Sequence, residues 1–197
     1  MIIVIDNKDS FTYNLVDYVE NISKLPVKVI DVEEVVITEL QLLKPEAIII
    51  SPGPGQPSDY PILGRLIEHF EETTPILGVC LGFQLIVDYY GGIIFKSGKP
   101  VHGHVTTLTH TNSGIFEGLN QNFKVMRYHS LIAQRYTLPS KLNITAYNDE
   151  EIIMAVEHRE LPIYGVQYHP ESILSQYGHK QLQLFLMKAG EHCAYPI

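Results

Sequence analysis

Three short apolar runs, Ile2-Ile3-Val4-Ile5, Ala47-Ile48-Ile49-Ile50 and Ile76-Leu77-Gly78-Val79, recur through the first half of the chain with helix-patterned stretches between them. A strand without alternating polar positions has both faces covered, which is the condition of a parallel strand sandwiched between helices. Asp9 and Ser10 suit the start of a helix whose Phe11, Leu15, Tyr18, Val19 and Ile22 fall on one stripe. Pro26 closes it, and 27–32 returns as a strand. Thr38-Glu39-Leu40-Gln41 has capping-box spacing and predicts a short helix capped by Thr38 and ending near Lys44-Pro45. Further helices are expected over 62–72 and from Leu81 to about Tyr90, where Gly91-Gly92 stops the second. Strands that alternate with helices in this way predict a doubly wound, mostly parallel sheet, with ligands bound beyond the carboxyl ends of its strands.

The second half reads differently. Residues 95–109, 123–132, 144–147 and 152–156 have strand character, with Asn148-Asp149-Glu150 as a hairpin turn. A strand over 163–168 and a closing helix over 176–189 follow. No linker or repeat divides the 197 residues, so one α/β domain over 1–197 is expected, carrying a small antiparallel sheet beside the parallel one. The net charge of −8 argues against binding to nucleic acid or an anionic membrane. Two cysteines give no disulfide framework, and Cys193 reads as an incidental thiol. The chain enters its first strand without a basic or long apolar leader, so a cytoplasmic protein is expected.

Cys80 lies where an apolar strand breaks into a helix, with Gly78 and Gly82 two residues to either side. That pattern is the sulfur counterpart of a nucleophile elbow, in which a tight turn lifts one reactive atom clear of the sheet. The helix N-terminus behind it favours thiolate over thiol. Burial as an inert core residue is the alternative. A thiol nucleophile needs an imidazole to carry its proton and an acceptor to fix that imidazole's tautomer. His169-Pro170-Glu171 ends another apolar strand and supplies both residue types, although nine histidines make an accidental pairing easy. The loop Ser51-Pro52-Gly53-Pro54-Gly55 combines stiff prolines with glycines that let the backbone approach a ligand. Read as a phosphate cradle it lacks both the lysine and the glycine spacing. His102, His104 and His110 alternate as on one exposed strand face, and no carboxylate or cysteine cluster accompanies them, so no metal site is expected.

The blocks Gly78-Val79-Cys80-Leu81-Gly82-Phe83-Gln84, Ser51-Pro52-Gly53-Pro54-Gly55 and Gly165-Val166-Gln167-Tyr168-His169-Pro170-Glu171-Ser172 resemble, in content and order, the signatures of class I (triad) glutamine amidotransferases. The opening Ile5-Asp6-Asn7-Lys8-Asp9-Ser10-Phe11 and Arg127-Tyr128-His129-Ser130-Leu131 resemble the glutaminase subunits of anthranilate and aminodeoxychorismate synthases. The resemblance spans essentially the whole chain and implies a flavodoxin-like fold without cofactor or metal. It implies Cys80, His169 and Glu171 as a catalytic triad. Cys80 then attacks the side-chain amide of L-glutamine, and a γ-glutamyl thioester is hydrolysed to glutamate and ammonia. It further implies an oxyanion site from the Gly53 and Leu81 backbone, with Pro54 and Gly55 beside it, and contacts from Gln84, Ser130 and Leu131 to the amino-acid end of the substrate.

No segment is left for chorismate chemistry, so a larger chorismate-binding synthase subunit is the expected partner and consumer of ammonia. The alternatives are a stand-alone γ-glutamyl or peptide hydrolase and a non-catalytic regulatory subunit. No residue chooses between the tryptophan and folate routes; the folate route is the working expectation. Two positions depart from the family pattern. Phe83 stands where histidine is common, which bears on local packing, and His104 stands where lysine is common, which bears on a partner contact.

Overall fold

The computed structural model describes residues 1–193, apart from the side chains of 99–102 and 191–193. The His102 ring and the Cys193 thiol weighed above lie outside these limits. Nine strands and five α-helices follow in the order β1 (Ile2–Asp6), α1 (Thr12–Ile22), β2 (Val27–Asp31), α2 (Ile37–Leu43), β3 (Ala47–Ile50), α3 (Pro61–Phe70), β4 (Ile76–Val79), α4 (Leu81–Tyr89), β5 (Ile94–His110), β6 (Phe123–Ala133), β7 (Leu142–Asn148), β8 (Ile153–His158), β9 (Ile163–Val166) and α5 (Gly178–Cys193).

All nine strands form one sheet in the order β2-β1-β3-β4-β9-β8-β7-β5-β6. The first five in that order pair in parallel. The pairs β9–β8, β8–β7, β7–β5 and β5–β6 are antiparallel. The small antiparallel sheet expected in the second half is present as an extension of the parallel one, joined to it through β9. Alternate residues of each apolar run serve opposite faces. Ile2 and Val4 pack with Leu15 and Val19 of α1 and Leu182 and Phe185 of α5. Ile3 and Ile5 pack with Leu40 of α2, Leu66 and Ile67 of α3 and Ile86 of α4. This two-sided burial is why those runs lack polar positions. No helix among the described residues is long and apolar enough to cross a membrane.

Two helix starts differ from expectation. Helix α1 takes Phe11 as its N-cap residue, while the Asp9 carboxylate accepts the Phe11 N–H at 2.8 Å one step earlier. Helix α2 begins at Ile37 behind Val36, so Thr38 lies inside the first turn and its capping box does not form. The helix stops at Lys44, which takes a left-handed φ of 49° ahead of Pro45. His110 also departs from the exposed face assigned to it. It is buried, stacked on Phe116 at 5.1 Å between ring centres, and its Nε2 meets the Asn120 carbonyl at 3.1 Å. A register shift between His102 and His104 breaks the strict alternation.

Candidate active site

Cys80 occupies the single residue between β4 and α4, with φ 53° and ψ −97°. A non-glycine residue in that region is strained and persists only where its surroundings enforce it. Its N–H donates to the Val166 carbonyl at 2.8 Å, anchoring the elbow to β9. A Cβ on Gly78 would strike the Gly82 backbone, and one on Gly82 would strike the Ile50 carbonyl, so both glycines are fixed by close approach. Phe83 is fully buried and fills the space beside Gly165, which answers the packing question raised by this departure. His104 is exposed.

The Gly53 loop leaves the carboxyl end of β3 and is tied to the end of β1. Ser51 Oγ accepts from the Asn7 N–H at 3.0 Å and from the Thr12 hydroxyl at 3.2 Å, and donates to the Pro52 carbonyl at 2.9 Å. Asn7 Nδ2 donates to the Ser51 carbonyl at 2.8 Å. The far side of the loop is held by the Tyr60 hydroxyl, which donates to the Pro54 carbonyl at 2.9 Å. Among the described residues, neither the Gly53 nor the Leu81 backbone N–H donates a hydrogen bond within the protein. Leu81 begins α4, where the first N–H groups have no partner in their own helix.

His169 follows β9 and is docked on β6 by its own backbone. Its N–H donates to the Met126 carbonyl at 3.0 Å, and its carbonyl accepts from the Ser175 hydroxyl at 2.5 Å. Ser175 Oγ also accepts from the Met126 N–H at 2.9 Å, so one serine clamps both chains. The ring sits edge-on to Phe11 and Tyr128, with centroids 5.8 and 5.4 Å away. Nδ1 faces Glu171 Oε1 at 2.6 Å, and both side chains are almost wholly buried. Nε2 makes no hydrogen bond in this geometry. Burial alone would lower the imidazole pKa, but the Cys80 sulfur and the Glu171 carboxylate together raise it well above its ordinary value. Cys80 and His169 thus converge although far apart in sequence. The loose Nε2 geometry suits a site whose proton-transfer bonds tighten on substrate binding.

A cavity of about 180 Å³ opens beside the sulfur. Gly53, Pro54 and Gly55 form one side, Cys80 and Gln84 the floor, and Tyr128 to Leu131 of β6 the other side. The Leu81 side chain is in the core, leaving its backbone as the group available to a ligand. Sequence reading missed the supports of the β6 wall. His129 Nδ1 donates to the Leu131 carbonyl at 3.0 Å, and Gln84 Nε2 donates to the same oxygen at 3.3 Å. His129 Nε2 accepts from Arg127 Nε at 3.2 Å. Burial, and then the Arg127 charge, push the His129 pKa down to about 3, so this imidazole stays neutral. Arg127 is itself 4% exposed and reaches Glu150 at 3.5 Å. Gln167 is completely buried under the elbow. Among the described residues, no three side chains of metal-binding type converge.

A thiol at a strand–helix elbow, a carboxylate-paired imidazole and two unspent backbone donors around a small cavity are the groups that acyl transfer requires. Comparison with known proteins agrees. Over 187 residues the chain is 44% identical to the aminodeoxychorismate/anthranilate synthase component 2 of Bacillus subtilis, covering 94% of this chain and 95% of that protein. It is 43% identical to a multifunctional tryptophan biosynthesis protein of Schizosaccharomyces pombe over 94% of this chain, but spans only 25% of that protein's length. The crystal structure of a glutamine amidotransferase from Thermotoga maritima shares the fold, with a TM-score of 0.79 at 15% identity, covering 96% of this chain and 97% of that one. Residues 3–189 match the family described as glutamine amidotransferase class-I, and the chain belongs to that family.

Proposed function

We propose that the chain is a glutaminase subunit that releases ammonia from L-glutamine for a larger chorismate-using synthase. The observation that carries this reading is the meeting of Cys80, His169 and Glu171 beside a cavity walled by the Gly53 loop and Ser130-Leu131. The Cys80 thiolate attacks the side-chain amide carbon, and the carbonyl electrons move onto oxygen, where the Gly53 and Leu81 N–H groups receive them. His169 gives its proton to the departing nitrogen as the C–N bond breaks, leaving ammonia and a γ-glutamyl thioester. It then takes a proton from water, which adds to the thioester carbon and expels the thiolate, releasing glutamate. Glu171 keeps the imidazole in the productive tautomer and offsets its charge.

Ammonia freed into neutral water becomes non-nucleophilic ammonium, so a docked consumer is required. Ile173 is 92% exposed and Leu174 55% exposed immediately after the triad, and Tyr13 is 66% exposed. Apolar side chains left in water next to a reactive centre support a partner seated on this rim. The relatives' names include both anthranilate and aminodeoxychorismate synthases, and on this reading the partner decides the product.

The reading is tested with the chain bound to its synthase partner. Cys80→Ser abolishes product formation from glutamine and leaves formation from added ammonium salt intact. Loss of both activities would contradict it and assign the thiol a structural role.

A further inference from the structure

Gln167 lies in the interval between β9 and His169, and nothing in the triad chemistry uses it. Its side chain is 0% exposed. Nε2 donates toward the Cys80 sulfur at 3.9 Å, and Oε1 accepts from Gln84 Nε2 at 3.3 Å. The same Gln84 nitrogen donates to the Leu131 carbonyl at 3.3 Å, on the wall that also receives His129 Nδ1. An unbroken polar chain thus runs under the cavity from the nucleophile to the β6 wall. It fixes the amide orientation of Gln167, because the oxygen must face the Gln84 donor and the nitrogen is left facing sulfur.

We propose that Gln167 is a positioning residue for the acyl-transfer reaction: its N–H stabilises the Cys80 sulfur as an anion, and its carbonyl couples that sulfur through Gln84 to the substrate wall. This rests on the reading of Cys80 as nucleophile. A buried amide is suited to the task because it presents a donor to one side and an acceptor to the other without bringing a charge. A carboxylate at 167 would repel the thiolate, and an apolar side chain would leave the sulfur with no donor from below. The charged and titratable groups near the sulfur are His169 with Glu171 behind it, and, in the lining of the same cavity, neutral His129 with Arg127 behind it. None of them supplies the hydrogen bond made by Gln167.

The test measures iodoacetamide alkylation of Cys80 between pH 5 and 9, in a Cys193→Ser background so that one thiol reacts. Gln167→Met keeps the volume and removes the donor; its rate at pH 7 falls about tenfold and recovers at alkaline pH, the shift of about one unit that losing one charge-assisted bond produces. Gln167→Glu falls further. Profiles of both variants that superpose on the parent profile, with near-ultraviolet dichroism unchanged, overturn the proposal and leave Gln167 a packing residue. A variant-free measurement guards against misfolding: the Gln167 side-chain amide resonance follows the alkylation profile with pH, and an amide signal flat across that range overturns the proposal. If the parent thiol is itself unreactive at every pH, the nucleophile reading falls first and takes this one with it.

Discussion

His129→Asn separates the electrostatics of the buried β6 wall from its packing. His129 is 5% exposed, and its pKa falls from the ordinary 6.5 to about 3. The unfolded chain therefore takes up a proton near pH 6.5 that the folded chain refuses until about pH 3. The stabilisation from keeping this ring neutral is complete above pH 6.5 and is lost progressively as pH falls toward 3. Between pH 7.5 and 5.0 the loss amounts to about 2 kcal/mol, a value set almost wholly by the unfolded-state pKa because the folded one lies well below the window. Asparagine keeps a donor near the Nδ1 position for the Leu131 carbonyl and cannot accept a proton. It also deprives Arg127 Nε of its acceptor, so the variant is less stable by about 1–3 kcal/mol at either pH. Urea titrations at pH 7.5 and 5.0 give the four stabilities needed. Groups that titrate alike in both proteins cancel in the difference. The variant should lose about 2 kcal/mol less than the parent on acidification. Equal losses in the two proteins would refute the assignment of a neutral His129.

Other consequences follow from the same geometry. His169→Ala should lower glutamine turnover by the partner-bound chain about 10³-fold and Glu171→Ala about 10–100-fold, since the first removes the proton carrier and the second its orienting group; the reverse ranking of kcat contradicts these roles. Stabilisation from the protonated His169 is present below its ordinary pKa and is lost as pH rises through the higher folded value. Glu171→Gln removes one of the two groups that raise that value, so the alkaline limb of kcat/KM should move to lower pH, and an unmoved limb contradicts the pairing. Gly82→Ala drives a methyl group into the Ile50 carbonyl and should cost about 3 kcal/mol, lowering Tm by roughly 6–12 °C. Gly64→Ala, in α3 with nothing within 4 Å of its new methyl, should raise stability by about 0.5–1 kcal/mol in the same melt.

The sequence carried most of the sheet and the reactive centre. The runs at 2–5, 47–50 and 76–79 are legible because a strand buried on both faces leaves no polar position to blur the pattern. The elbow is legible because both its glycines, demanded by close backbone approach, flank Cys80 at two residues on either side, where the pattern is readable without its partners. What escaped was non-local. Arg127, His129, Gln167 and Ser175 act through partners on other elements, and each is an ordinary strand or loop residue by its neighbours in sequence. The helix start at Thr38 was misplaced because capping-box spacing says nothing about where the preceding chain leaves β2. His110 is buried although it shares a face of β5 with exposed His104, because Phe116 and Phe123 cover that end of the strand, and neither contact is visible in the local alternation. The continuity of the antiparallel strands with the parallel ones depends on β8 pairing with β9, which follows it in the chain, a choice that strand propensity alone does not make.

The central claim is that the sulfur of Cys80 becomes bonded to the side-chain carbon of glutamine with His169 managing the proton. Incubating the parent protein with an electrophilic glutamine analogue, then mapping the modified peptide by mass spectrometry, tests it directly. One adduct per chain is expected, on Cys80, formed more slowly when glutamine is present and strongly slowed by His169→Ala. Modification of Cys193 in place of Cys80, or labelling of Cys80 that glutamine does not slow, would contradict it.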